Sequence, residues 1–297
     1  DGDINSSGRT YVAYLFADNS SEDAEEQMIK CGSYTGTGST HEVNLGWEPQ
    51  WLMVKSASSS ASWRMLDTMR GFIAPPADSK LLFANSNEDE DASGTLNVSS
   101  NGFIVSNDVG HSNADGQTYI WMAIRAEMMV EPKAATDVFS LTNTTGAVIH
   151  NVGLVPDMAI WTNAAAAGQN RQIGARLIGE SYLRTNTSAA ASNAGQGWDE
   201  KTGYWQNPNH ASNINLLWKR AKGYMDCVTW KGNATARTVA HSLNVAPEMI
   251  WVKNRDATEE WFVYAASEGI DKWLYLSNIN DAQSGIATLA WNNTVPS

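Results

Sequence analysis

Residues 198–210 combine aromatic rings with amide, carboxylate and imidazole groups in one short stretch. An aromatic ring offers an apolar face to the C–H face of a sugar, and the polar groups form hydrogen bonds with its hydroxyls. The stretch lacks clear alternation, so we predict a loop, which is a candidate site for a glycan or receptor. The alternative, which we favour for these rings, is a loop that packs its own aromatic side chains onto the edge of the fold. The candidate ligand-binding residues are Trp198, Asp199, Tyr204, Trp205, Asn207 and His210.

A run of four acidic residues is a weaker candidate for a calcium site, because Ca²⁺ prefers carboxylate oxygens. The run follows an Asn-Ser-Asn sequence that favours a loop, and we favour a solvated acidic loop over a calcium site. Its members are Glu88, Asp89, Glu90 and Asp91.

Catalytic motifs are missing from the sequence. It has no Gly-x-Ser-x-Gly, no phosphate-binding Gly-Lys-Ser/Thr loop and no Cys-x-x-Cys. His41-Glu42 begins like a zinc-protease helix, but Leu45 stands where the second histidine would be. We therefore predict a protein that is not an enzyme and that needs no cofactor.

The elements that position these residues come from a long internal repeat. Pro49 begins the sequence Pro-Gln-Trp-Leu-Met-Val-Lys, and Pro247 begins Pro-Glu-Met-Ile-Trp-Val-Lys. A weaker copy begins at Pro156, and the copies are spaced as domains rather than as short solenoid repeats. Short apolar runs bounded by Gly, Asn and Ser predict strands. In the first copy, the alternation of Trp51, Met53 and Lys55 with Leu52 and Val54 predicts a half-buried strand.

The repeat predicts three β-modules, at 31–130, 131–223 and 224–297, after a leading segment at 1–30. Each module should end with an aromatic closing strand, such as residues 116–124. Residues 8–16 resemble that closing strand without a module in front of them, and the third copy shows no closing strand of its own. Either the sequence is an excerpt of a longer polypeptide, which we favour, or residues 8–16 complete the third module by strand exchange. Only residues 23–30 and 164–177 could form short helices.

Composition limits the possible partners. The net charge of −12 argues against nucleic acid, which requires a basic surface. No apolar run approaches the length of a membrane span. Cys31 and Cys227 occupy equivalent repeat positions, so we interpret them as small buried apolar residues rather than as a disulfide.

The first copy resembles a repeated module of tailed-bacteriophage virion proteins. The resemblance rests on residues 34–39 (Tyr-Thr-Gly-Thr-Gly-Ser), 45–55 (Leu-Gly-Trp-Glu-Pro-Gln-Trp-Leu-Met-Val-Lys), 63–71, 82–85, 101–103 and 116–127, in that order. Residues 238–255 are similar to the companion repeat of the same proteins. Trp47 stands where these modules usually have Phe.

This resemblance implies a virion protein of a tail fibre or similar appendage, located in the particle and associated with other virion proteins. We expect an all-β fold of serial sandwich or jelly-roll-like modules in a homotrimer that attaches to the host surface through loops. One alternative is a purely structural spacer, tail-assembly or capsid-decoration protein. A second is a polysaccharide-degrading tailspike, which would need two carboxylates facing each other across a groove.

Overall fold

The computed structural model describes residues 6–18, 27–106, 111–127, 129–144, 149–163, 167–193, 197–198, 203–205, 213–284, 291 and 294–297. Within these residues the fold is all-β, as predicted, and every strand pairing between named strands is antiparallel. Helical structure in this part of the chain is limited to short 3-10 helices at Ala135–Asp137, Arg176–Ile178 and Ala266–Glu268. No helix among the described residues is both long and apolar enough to cross a membrane.

The first sheet has six strands in the order β1-β9-β3-β4-β5-β6, and a three-stranded sheet lies beside it in the order β2-β8-β7. The strands are β1 (Ile29–Thr35), β2 (His41–Asn44), β3 (Pro49–Ser56), β4 (Arg64–Asp67), β5 (Ser79–Phe83), β6 (Asp91–Gly94), β7 (Leu96–Ser99), β8 (Gly102–Val105) and β9 (Thr118–Arg125).

The second sheet has the same order, β10-β17-β12-β13-β14-β15, and is accompanied by the pair β11-β16. Its closing strand β17 therefore lies between β10 and β12, as β9 lies between β1 and β3. The strands are β10 (Phe139–Thr144), β11 (Ile149–Asn151), β12 (Met158–Asn163), β13 (Gln172–Ala175), β14 (Ser181–Arg184), β15 (Ser192–Asn193), β16 (Gly203–Trp205) and β17 (Asn213–Trp218).

The third sheet has the order β18-β19-β20-β21 and repeats the last four positions of that pattern. Its strands are β18 (Met249–Val252), β19 (Phe262–Ala265), β20 (Lys272–Tyr275) and β21 (Gln283–Ser284). The repeat prolines thus begin or closely precede the corresponding strands β3, β12 and β18.

The largest core lies between the two sheets formed by β1 to β9. Leu52 and Val54 point into it, so the half-buried strand that the alternation predicts is confirmed. Phe103 and Val105 reach the same core from the smaller sheet. Leu177, from the 3-10 helix after β13, completes it, so the first and second sheets share buried apolar surface.

Further contacts connect successive sheets. The amide of Ala74 donates to the carbonyl of Leu177 at 2.7 Å. Trp261, which precedes β19, packs against Ile173 and Leu183 of the second sheet. Its indole Nε1 donates to the carbonyl of Arg184 at 2.8 Å. Buried apolar and hydrogen-bonded contacts therefore join the sheets in series.

Local expectations had mixed outcomes. The helix expected in 164–177 is wrong, since Gln172–Ala175 forms β13 and only Arg176–Ile178 is a 3-10 helix. The helix expected in 23–30 is wrong at its end, where β1 begins at Ile29. Residues 29–30 and 172–175 pair with neighbouring strands, which satisfies their backbone groups better than an isolated turn of helix. Gly71 lies in a turn with a φ of +116°, a backbone conformation that favours glycine.

Candidate functional site

The ring of Trp198 lies inside the second core. Only 4% of the residue is exposed, and it packs in the cluster of Trp161 and Tyr182. Its Nε1 donates to the carbonyl of Gly179 at 2.8 Å. The Arg176 guanidinium lies 5.8 Å from the ring centroid and donates to the Trp198 carbonyl. The indole is therefore surrounded by protein, and neither face of the ring is open for a sugar to stack on.

The neighbouring aromatic residues belong to a strand rather than to the expected loop. Gly203–Trp205 forms β16 and pairs with β11, with His150 opposite Tyr204. Beside the first sheet the corresponding position is taken by β8, where Val43 lies opposite Phe103. Residues 203–205 therefore form a strand and are not part of a loop.

Three of the predicted ligand-binding residues, Asp199, Asn207 and His210, lie outside the described residues, as do the side chains of Tyr204 and Trp205. Of that set, the structure therefore positions the side chain of Trp198 only. Glycan or receptor binding by this segment stays a prediction.

The acidic run is spread along an exposed loop and the start of β6. Asp91 accepts hydrogen bonds from the amide and hydroxyl of Ser93, at 2.8 and 2.6 Å. These two hydrogen bonds lower the pKa of the Asp91 carboxyl. Glu90 forms an ion pair with Lys80, with 3.6 Å between Oε1 and Nζ. In the part of the chain that the structure describes, no group of three or more His, Cys, Asp or Glu side chains is gathered closely enough to hold a metal ion.

A buried ion cluster at the junction of the first and second sheets was not foreseen from the sequence. Arg220, just after β17, forms two hydrogen bonds with Glu48, Nη1 to Oε2 and Nη2 to Oε1, each 3.0 Å. Its Nε lies 3.5 Å from Asp157, and Nη1 lies 3.9 Å from Asp226. Arg176 approaches Asp157 from the other side at 3.9 Å.

Burial and the charge of the ion-pair partner shift the pKa values of Glu48 and Arg220 in opposite directions. Burial raises the pKa of the Glu48 carboxyl, Asp226 and Asp157 add to that rise, and Arg220 opposes it. Burial alone would lower the pKa of Arg220, but the carboxylates of Glu48 and Asp157 raise it overall. The ion pairs of this cluster connect the residues beside two repeat prolines to the segment that follows β17, so the cluster is a joint between segments.

The sequence did contain a signal for this joint. An acidic residue stands directly beside each repeat proline, as Glu48, Asp157 and Glu248. The first two of these converge on Arg220. The partner itself could not be found from sequence, because Arg220 is 172 positions away from Glu48.

A cleft of about 470 Å³ lies where all three sheets approach one another. Arg255 forms one wall, and its Nη2 donates to the carbonyl of Pro75 at 2.6 Å. Its buried Nε has no hydrogen-bond partner among the described residues, and burial lowers the pKa of the guanidinium. The described lining carries polar groups but no aromatic ring: Pro76, Ser181, Ala190, Ala191, Ser192, Asn193, Arg255 and Asp256.

The fold and these contacts define an all-β protein of serial antiparallel sheets with buried joints. The chain belongs to a family described as a domain of unknown function, DUF7483, whose model matches residues 1–129 and 219–297. The matched stretches contain the first and third sheets, and the second sheet lies between them. No curated protein and no solved structure matches the chain.

Proposed function

We propose that this chain is a structural protein of a tailed-bacteriophage virion, in a tail fibre or similar appendage. The observation that carries the proposal is the repeated strand order of the sheets, with the closing strand placed between the first strand and the proline strand in both six-stranded sheets. Serial copies of one module are typical of scaffolds and spacers. The reason for placing the chain in a virion is the resemblance of its repeat blocks to modules of virion proteins.

In this proposal each module is a two-layered sandwich, and copies of the chain associate as a trimer in the virion. Two layers are supported by the core that the sheet containing β3 shares with the sheet containing β8. Leu52 from the first and Phe103 from the second are both buried in it. The joints at Arg220 and Trp261 limit movement between successive sheets. Limited movement suits a spacer that must hold its length under load.

The experiment is to detect the protein in purified particles of a phage that encodes it. An antiserum raised against the chain should label the tail or an appendage in electron micrographs, and mass spectrometry should find its peptides in particles purified by density gradient. If the protein is present in infected cells but absent from purified particles, the proposal fails. Labelling over the capsid faces would favour decoration instead.

Host attachment is a second candidate function, favoured by the cleft beside Arg255. Asn193 is exposed on the wall of this cleft, where its amide would form hydrogen bonds with the hydroxyls of a surface glycan. The described lining has a single carboxylate, Asp256, whereas glycoside hydrolysis uses two. Binding without cleavage is therefore the activity we propose for this cleft.

Attachment is tested by adsorption of the purified chain to host cells. Asn193→Ala should weaken adsorption if the cleft binds, and Asn207→Ala with His210→Ala should weaken it if the 198–210 segment binds. Lys272→Ala, on an exposed side chain remote from both segments in sequence, is the control. Adsorption unchanged in all folded variants would leave only the structural role.

A further inference from the structure

The first six-stranded sheet has one face turned away from the core. Leu52, Leu66 and Ala123 are fully buried on the core side, and successive strand residues point to opposite sides of a sheet. The residues that alternate with them therefore form the outer face. That face is apolar and partly open to solvent, with Ile120 at 42% and Ile124 at 36% exposure.

Four side chains that contain sulfur lie in one row across this outer face. Cys31 of β1 lies opposite Met122 of β9. Met53 of β3 lies opposite Met122 on one side and opposite Met65 of β4 on the other. We call these four residues the sulfur row. All four are half-buried, and Cys31 is a free thiol.

The other sheets show that an outer face of this fold does not require sulfur. In the second sheet the same register positions are held by Leu141, Leu216, Ile160 and Ile173. In the third sheet Trp251 and Val263 form the corresponding pair. None of these residues contains sulfur. Packing of the sheet therefore accounts for an apolar row, but it does not account for a thiol and three thioethers at neighbouring positions.

The spacing of the sulfur row fits a metal ion held between two neighbouring sulfurs. Cβ atoms of directly opposite residues in an antiparallel pair are about 4.5–5.5 Å apart. A bond between a metal ion and a cysteine sulfur is about 2.3 Å long in zinc sites, so two such bonds in line span a similar distance. A methionine side chain is flexible and adjusts the position of its sulfur easily. Neighbouring sulfurs of the row can therefore approach one ion from opposite sides.

The chemistry of the row selects the kind of ion. Thiolate and thioether sulfurs are soft ligands that favour Cu(I), whereas Mg²⁺ and Ca²⁺ prefer oxygen. When the Cys31 thiol coordinates an ion, its proton is released to solvent. Burial, and then the charge of Asp18, raise the pKa of this thiol. The Asp18 carboxylate therefore acts on the Cys31 end of the row, where it would also attract a cation.

We propose that the sulfur row is a binding site for a soft monovalent metal ion of the Cu(I) type. Met122 and Met53 hold the ion, because each of these two inner residues has a sulfur neighbour on both sides. Cys31 and Met65 flank them as further ligands. The bound ion would connect the outer sides of β9 and β3. Such a site does not depend on whether the protein occurs in virions.

The first test is competition for Cu(I) with bicinchoninate, a chelator that is coloured when it holds Cu(I), under anaerobic conditions. The unaltered protein should remove Cu(I) from the chelator. Met122→Leu and Met53→Leu should each weaken binding by about tenfold or more, a loss that is typical even for residues that only support a ligand. Leucine nearly conserves the volume of methionine, so the fold should tolerate both changes.

Met28→Leu is the matched control for this competition. Met28 precedes β1, is 64% exposed and lies outside the sulfur row, so its replacement should leave the affinity for Cu(I) unchanged. Both cysteines remain in all three variants, so binding by thiols alone contributes equally to each measurement. An unaltered protein that does not compete with the chelator overturns the proposal. Equal affinities of the unaltered protein and Met122→Leu also overturn it, since they would assign the binding to a thiol alone.

Methyl NMR of protein labelled with ¹³C in its methionine methyl groups is the second test. Ag(I) is the probe, because it has the charge and ligand preference of Cu(I) and is diamagnetic. The Leu variants assign the signals of Met122, Met53 and Met28, since each variant lacks one of them. Ag(I) should shift the signals of Met122 and Met53 and leave that of Met28 in place. Shifts of the same size at all three methyl groups, or no shift at any, contradict the proposal.

Discussion

Arg220 and Glu48 form a two-pronged ion pair in which both guanidinium Nη atoms lie 3.0 Å from carboxylate oxygens. The pair connects the end of the second sheet to the residue before the repeat proline of the first. Side-chain exposure is 18% for Arg220 and 11% for Glu48, so water screens the pair weakly. Removal of either side chain would leave the other charge buried without a partner, which costs stability. The joint therefore depends on both residues.

Arg220→Met should destabilise the protein strongly, because it leaves Glu48, Asp157 and Asp226 close together without the cation. Loss of one partner of a buried pair typically costs about 3–5 kcal/mol. The measurement is urea-induced unfolding followed by tryptophan fluorescence. Lys272→Met, which breaks an exposed pair with Glu268, is the control and should cost under about 1 kcal/mol. Equal midpoints for the two variants would mean that the joint contributes nothing.

The pH dependence of stability should reflect the buried carboxyl of Glu48, whose pKa is raised above its ordinary value of 4.5 by burial. A raised folded-state pKa means that the folded protein holds the proton longer than the unfolded chain. Its contribution to stability is fully present below pH 4.5 and is lost as pH rises through the folded pKa.

The comparison is between the unaltered protein and Glu48→Gln in urea from pH 4 upward. The unaltered protein should lose stability relative to the Gln variant as pH increases, because only its side chain becomes charged. If it instead gains stability relative to the variant, attraction by Arg220 outweighs burial and the direction given for Glu48 is wrong.

The proline repeat was sufficient to predict strands β3, β12 and β18, because alternation at Leu52 and Val54 is a local property of a half-buried strand. The burial of Trp198 was not predictable in the same way. Its neighbours Trp161 and Tyr182 are distant in sequence, and an aromatic ring in a polar stretch has the same local pattern whether it binds a ligand or fills a core. Arg220 is a similar case, since its partners come from three separate segments.

Cys227 should be a poorly reactive thiol in the folded protein, since burial raises its pKa to about 12. Iodoacetamide attacks the thiolate, which is then a small fraction of the thiol near pH 8. Peptide mass spectrometry after timed labelling should find Cys31 modified before Cys227. In urea both should react at similar rates. Equal rates in the folded protein would show that Cys227 is accessible and ionises readily.

Gly32→Ala tests the packing of β1 against β9. A Cβ at this position would lie 2.5 Å from the Trp121 ring, which is held between neighbouring strands. Overpacking of this kind typically costs about 1–3 kcal/mol. Gly232→Ala is the control, because a Cβ there meets no atom within 4 Å. The free energies of unfolding of the two variants should therefore differ, with Gly32→Ala the less stable.

Adding Trp121→Ala to Gly32→Ala should recover part of the loss, because removal of the indole leaves room for the Cβ at position 32. The double variant still loses the buried area of the indole, so it should remain less stable than the unaltered protein. In a double-mutant cycle, the double variant should lose less stability than the sum of the losses of the two single variants. Strict additivity would indicate that the two residues do not compete for the same space.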